Sequence, residues 1–228
     1  MERLRQIDNL LDSFGLTHQA STIIGTPIRK GISGGQKRRV SVASQLITSP
    51  KVLFLDEPTS GLDSTASWEV ISFVKEVAKR NNLIVIASIH QPSTSTFQLF
   101  DKLLLLSGGK THYFGKVEDV NQYFEKLGLP IPLHTNPAEF IIELLNTDFA
   151  IHSTAAQERL DIIQRAWVAS SQDQHTKNRI QDIISRKEPV SSTKSPKRNF
   201  PIVLMTLVHR AFIKSYRDVV AYGVRIIM

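Results

Sequence analysis

The chain has no cysteine among its 228 residues, which excludes a disulfide framework and any thiolate metal site. That absence favours a reducing, cytosolic setting. Long apolar runs are missing too. No window reaches the roughly 18 consecutive apolar residues of a spanning helix, so the residues given are not expected to cross a membrane. The amino terminus, Met1-Glu2-Arg3-Leu4-Arg5-Gln6, is charged and lacks the apolar stretch of a signal peptide. Acidic residues are in the minority. The 21 Asp and Glu against 28 Lys and Arg leave a formal charge of +7, which points to a negatively charged partner. The bases gather between Arg29 and Arg39 and again between Lys177 and Arg225. Aromatic residues are few, at 7%. The first basic group has none, and those of the second (Phe200, Phe212, Tyr216 and Tyr222) fall in an apolar segment. A stacking platform for single-stranded nucleic acid is therefore poorly supported. A phosphorylated nucleotide near the first group and anionic lipid near the second fit the charge equally well.

A phosphate loop of the form G-x-x-x-x-G-K-[ST] is also absent. Gly109-Lys110-Thr111 is the one tempting match, but Leu104 stands where the first glycine belongs. The residues after it read as a hairpin strand, not a helix. There is no internal repeat.

What the chain does contain is 41% apolar residues, enough for a globular core. Leu4, Ile7, Leu10, Leu11 and Phe14 recur at helical spacing and predict a first helix closed near Gly15. Ser33-Gly34-Gly35 opens a second helix that stops before Pro50. The apolar run Val52-Leu53-Phe54-Leu55 reads as a buried strand of a parallel sheet. A long helix from about Ser64 to Lys79 and a second apolar run, Leu83 to Ser88, complete a strand–helix–strand crossover. Lys102 to Ser107 and Thr111 to Phe114 predict a hairpin around Gly108-Gly109. Asn136-Pro137-Ala138-Glu139 is a helix start, with an Asn cap and Pro at the first position. From there to Arg186 the pattern is helical and increasingly polar, and Glu188 to Asn199 reads as a linker. Phe200 to Arg217 combines an apolar face with basic breaks, as in a helix lying at a membrane surface or in an ordinary packed helix.

Chemistry concentrates at three places. The first strand ends abruptly in Asp56 and Glu57, and ligands of parallel sheets bind beyond such carboxyl ends. Ser33, Gly34 and Gly35 place free backbone N–H groups and the positive end of a helix where a phosphate can meet them. Ser-Gly-Gly alone is a common turn; followed by Gln36-Lys37-Arg38-Arg39-Val40-Ser41 and an apolar strand ending in Asp-Glu, it becomes specific. His90 follows the second strand, and takes its meaning from that position.

Signature, acidic strand end and histidine, in that order, resemble the distal half of an ATP-binding-cassette (ABC) nucleotide-binding domain. Ser60-Gly61-Leu62-Asp63 resembles that family's D-loop. His90-Gln91-Pro92-Ser93, Tyr113-Phe114-Gly115 and Asn136-Pro137-Ala138-Glu139-Phe140 resemble its G-type, or pleiotropic drug resistance, branch. The implied fold class is α/β: an incomplete P-loop NTPase domain with parallel strands, then a helical extension and an amphipathic connecting helix. Residues 1–146 are expected to be the C-terminal part of the nucleotide-binding domain. Residues 147–199 are expected to be the extension and polar linker, and residues 200–228 the connecting helix and the possible start of a membrane span. The resemblance implies ATP and Mg²⁺ as cofactors. It makes Asp56 the metal-holding aspartate, Glu57 the residue that orients or deprotonates the attacking water, and His90 a γ-phosphate contact. Ser33, Gly34, Gly35, Gln36 and Asp63 would face nucleotide held by a second nucleotide-binding domain, in the same chain or another. The family's phosphate loop would precede Met1, so these residues would expose core surface when alone. A membrane domain downstream, placement on the cytoplasmic face of a membrane, and export of a lipophilic substrate follow from the same resemblance, with no nucleic-acid partner. Two other readings remain: a soluble ABC ATPase acting on ribosomes or DNA, and a truncated, non-catalytic half-site that lends only its signature to a complete partner.

Overall fold

The computed structural model describes residues 2–25, 29–146, 153–186 and 199–217. The expected linker (Asn199 apart) and the terminal stretch Val219 to Met228 lie outside them. Contacts divide the chain into two units, residues 1–181 and 182–228.

The first unit opens with α1 (Glu2–Ser13), α2 (Gly34–Leu46), β1 (Val52–Asp56), α3 (Ser64–Asn81) and β2 (Ile84–Ser88). The two strands pair in parallel, with Val52 opposite Ile84 and Asp56 opposite Ser88. The strand–helix–strand expectation is met. The helix α3 runs two residues past the expected Lys79 because Asn82, at a φ of 50°, closes it in the left-handed conformation.

One expectation is corrected. The apolar run of β1 is buried on one face only. Leu53 and Leu55 join Phe14, Leu16, Val42, Ala43, Leu46, Val74 and Val77 in a core between the strands and α2 and α3. On the opposite face Phe54 is 69% exposed and Ile84 61%, with Val52 and Ile86 beside them. Side chains alternate along a strand, and among the described residues no element lies over that second face.

The second half of the unit holds α4 (Thr94–Phe97), β3 (Lys102–Ser107), β4 (Lys110–Lys116), α5 (Val120–Lys126), α6 (Pro137–Leu145), α7 (Ser153–Ala169) and α8 (Ser171–Ser185). The hairpin turns on Gly108 and Gly109, both at positive φ (53° and 72°). A two-residue turn of this kind needs two such residues, and glycine takes them without steric cost. Helix α6 starts as read, with the Asn136 side chain accepting the Ala138 N–H. Phe97, Leu105, Tyr113, Val120, Phe124, Ile141, Leu160, Ile163 and Trp167 form a second core. The two cores are tied by Lys75 of α3, which donates to the Leu99 carbonyl and lies 3.5 Å from Asp101.

His112 of β4 lies in this second core, 1% exposed. Its Nε2 is 3.2 Å from the Ser107 carbonyl, which can only accept, and its Nδ1 is buried without a partner. Burial, with Lys110 nearby, pushes its pKa below the usual 6.5 and outweighs the Ser107 carbonyl and Asp161. The folded pKa lies below the unfolded one, so the unfolded state binds more protons between the two. Stability is then complete above pH about 6.5 and declines as pH falls below it. Melting of the full-length protein between about pH 7.5 and 5.5 should show this loss. His112→Gln, which cannot take up the proton, should flatten that slope.

The described part of the second unit contains α9 (Phe200–Arg217). Phe200, Ile202, Leu204, Met205, Leu207, Val208, Phe212 and Ile213 are exposed on it. No described helix is long and apolar enough to cross a membrane.

Candidate functional site

Two parallel strands in register deliver their last residues to one edge of the sheet. Asp56 ends β1 and Ser88 ends β2, directly opposite each other. The Ser88 hydroxyl donates to Asp56 Oδ1 at 2.6 Å and accepts the Glu57 N–H at 2.9 Å. Glu57 itself sits at a φ of 43°, and Gln91, one residue beyond His90, at 44°. Left-handed backbone in a residue with a side chain costs on the order of 1 kcal/mol and gathers at functional sites. Asp56, Glu57 and His90 are all exposed at this edge. The strand ends place Asp56 and Ser88 at one edge of the sheet, with Glu57 directly after Asp56 and His90 two residues beyond Ser88.

The start of α2 forms a second cluster. Ser33 caps the helix in a reciprocal box: its hydroxyl accepts the Gln36 N–H at 3.2 Å, and Gln36 Oε1 accepts the Ser33 N–H at 2.9 Å. The Ser33 hydroxyl keeps its own hydrogen free to donate. The N–H groups of Gly34 and Gly35 lie in the first turn, where no intrahelical acceptor exists. A Cβ at Gly34 would come within 3.3 Å of Leu62, and one at Gly35 within 3.5 Å of Ala66. Gly34 therefore also lets α2 approach the Ser60–Ala66 segment closely, a role the sequence did not disclose, while at Gly35 the distance is an ordinary contact. Asp63 caps α3 through the Ala66 N–H at 2.8 Å. Arg38 donates to the Ser60 carbonyl at 3.0 Å and ties the two segments further.

Three contacts at this site escaped the sequence reading. Ser88 and Arg38 act through partners 32 and 22 positions away, and spacing gives no sign of either. Asn136 was read as a cap, but its Nδ2 also donates to the Pro92 carbonyl at 2.8 Å and holds the loop that follows His90. Asn136→Ala removes both bonds. It should cost about 0.5–2 kcal/mol for the cap alone, read as a lower melting temperature with faster amide exchange between His90 and Phe97.

An open cavity lined by Arg39, Trp68, Glu69, Ser72, Phe73 and Glu76 lies between α2 and α3 and includes none of the candidate residues.

An exposed acidic strand end, a histidine two residues beyond the neighbouring strand and a capped glycine-led helix start fit a nucleotide-handling α/β domain. Comparison with known proteins agrees. The family described as ABC-2 type transporter matches residues 90–207, and that described as ABC transporter matches residues 2–60. ABC transporter G family member 11 of Arabidopsis thaliana is 35% identical over all of this chain, and G family member 1 of Petunia hybrida 36% over 99% of it. The chain spans 35% and 36% of those two relatives, about a third of their length. Among solved structures, CbiO1 of Clostridium perfringens, part of the ABC transporter complex CbiONQ, is 27% identical with a TM-score of 0.45. That match covers 61% of this chain and 53% of that one. The chain belongs to the ABC transporter family, in its G branch. Nucleotide binding and association with a membrane domain are general to that family.

Proposed function

We propose that this chain supplies the acid-and-histidine side of an ATP-hydrolysing site in a G-type exporter of a lipophilic substrate. The observation that carries the reading is the Asp56–Ser88–Glu57 bridge at the shared carboxyl edge of β1 and β2. Glu57 orients the attacking water or takes its proton, and His90 donates toward the γ-phosphate. Ser33 and the Gly34 and Gly35 N–H groups meet the γ-phosphate of nucleotide held by a second nucleotide-binding domain, with Gln36 and Asp63 alongside.

The residues fit Mg²⁺ as well as nucleotide. Asp56 Oδ1 is taken by Ser88, while Oδ2 has no partner among the described residues. No described group of three or more metal-binding side chains is present. A single available carboxylate suits Mg²⁺, which keeps several waters and takes its other ligands from phosphates. Bound there, Mg²⁺ neutralises charge on the transferring phosphoryl group. On the same reading, residues 1–146 are nucleotide-binding domain, 147–199 an extension and linker, and the exposed apolar side chains of α9 belong to a connecting helix at the cytoplasmic face.

The test is Glu57→Gln in the full-length, membrane-reconstituted protein. Retained ATP binding without turnover supports the reading; near-normal ATPase overturns it.

A further inference from the structure

The hydroxyl of Ser88 uses its one hydrogen on Asp56 Oδ1 and one lone pair on the Glu57 N–H. One hydroxyl therefore bridges the metal-side carboxylate and the N–H of the water-activating residue. The parallel ladder ends at the Asp56–Ser88 pair, and beyond it the Glu57 N–H has no backbone acceptor. Ser88 Oγ takes the place of one. The chain can then leave the strand through Glu57 at a φ of 43°, and the direction of the Glu57 side chain is set by this turn and not by the pleat of the strand. The 2.6 Å bond to Asp56 has the length of a charge-assisted hydrogen bond. It fixes the carboxylate rotamer and leaves Oδ2 for a metal or its water.

We propose that Ser88 is a positioning residue that sets the Asp56 carboxylate and the Glu57 backbone relative to each other through one hydroxyl. The proposal rests on the roles given above to Asp56 and Glu57. Both hydrogen bonds of the Ser88 hydroxyl are made within the protein, to Asp56 and to the Glu57 N–H. Outer partners of this kind are worth about 10- to 100-fold in metal affinity or activity.

The experiment uses the full-length, membrane-reconstituted protein and the variants Ser88→Ala and Ser88→Thr. Ser88→Ala is expected to lower kcat by about 10- to 100-fold, with KM for ATP within about twofold, because the two hydrogen bonds lost are to Asp56 and Glu57. Ser88→Thr keeps the hydroxyl, suits a strand, and should recover most of the loss. A second readout does not depend on turnover. In the Glu57→Gln background, Mn²⁺ binding in the presence of ATP, followed by electron paramagnetic resonance, should weaken by about 10-fold with Ser88→Ala and recover with Ser88→Thr. Wild-type turnover in Ser88→Ala, an equal loss in Ser88→Thr, or unchanged Mn²⁺ binding would each overturn the proposal. Failure of the underlying assignment looks different: Glu57→Gln alone would then hydrolyse ATP at near the normal rate, whatever residue stands at position 88.

Discussion

On the proposed function, Glu57→Gln is expected to lower ATP turnover of the full-length protein by about 100- to 10,000-fold, the span for loss of a general base, while ATP stays bound. The substitution keeps the length and planarity of the side chain and removes only its capacity to take a proton. Its backbone anchor survives, because the contact to Ser88 is made by the N–H of residue 57 and not by its side chain. Asp56, Ser88 and the turn between them are left in place. Binding and hydrolysis should therefore separate, with radiolabelled ATP retained at wild-type levels and phosphate release near background. Glu57→Asp is the informative neighbour, since it restores the carboxylate but draws it back by one methylene. A misplacement of about 1 Å can cost on the order of 100-fold, so Glu57→Asp should remain slow, yet faster than Glu57→Gln. A Gln variant with near-normal ATPase activity would remove Glu57 from the chemistry and leave its left-handed backbone as a feature of the turn alone.

Much of this site was legible in the sequence because it depends on local order. An apolar run ending in Asp-Glu, a second run leading to His90, and Ser-Gly-Gly before a helical stripe each announce themselves within a dozen residues. The Asn136 cap and the Gly108-Gly109 turn were visible for the same reason, since both obey rules that act within a single turn of chain. What stayed hidden depends on which residues of distant strands lie opposite one another. Ser88 becomes important only once β1 and β2 are registered so that it meets Asp56, and no spacing rule supplies that register. One-sided burial was hidden differently. Val52 and Phe54 are as apolar as Leu53 and Leu55, so composition could not say that one face lacks a cover. Helix α7 falls in the stretch read as helical and increasingly polar, but its apolar stripe was not singled out. Its buried residues, Ala156, Leu160, Ile163 and Trp167, nonetheless recur at intervals of three and four, which is a helical stripe.

Trp167→Ala is expected to destabilise the hairpin half of the domain by about 3–5 kcal/mol, the range for truncating a buried aromatic. Trp167 is 2% exposed and meets two rings at once, Tyr113 tilted with centroids 5.8 Å apart and Tyr123 edge-on at 6.4 Å. Those two tyrosines also pack together at 4.9 Å, and burial pushes both phenols up to about 12, so they remain neutral. Removing the indole therefore opens a cavity and breaks two aromatic contacts worth about 0.5–1.5 kcal/mol each beyond their area. The loss should travel toward the site through the contacts between elements: α7 holds α6 through Arg159, whose Nε donates to the Leu144 carbonyl at 3.1 Å. The first residue before α6, Asn136, in turn holds the Pro92 carbonyl beside His90. Amide exchange in the full-length protein should rise first in α7 and the hairpin, then in α6 and the His90 loop, with β1 and α3 little changed because they belong to the other core. Trp167→Phe keeps a ring in the cluster and should cost less than half as much. Uniform exchange across both halves would mean that the two cores unfold as one, and an unchanged melting temperature in Trp167→Ala would mean that α7 is not what holds the hairpin.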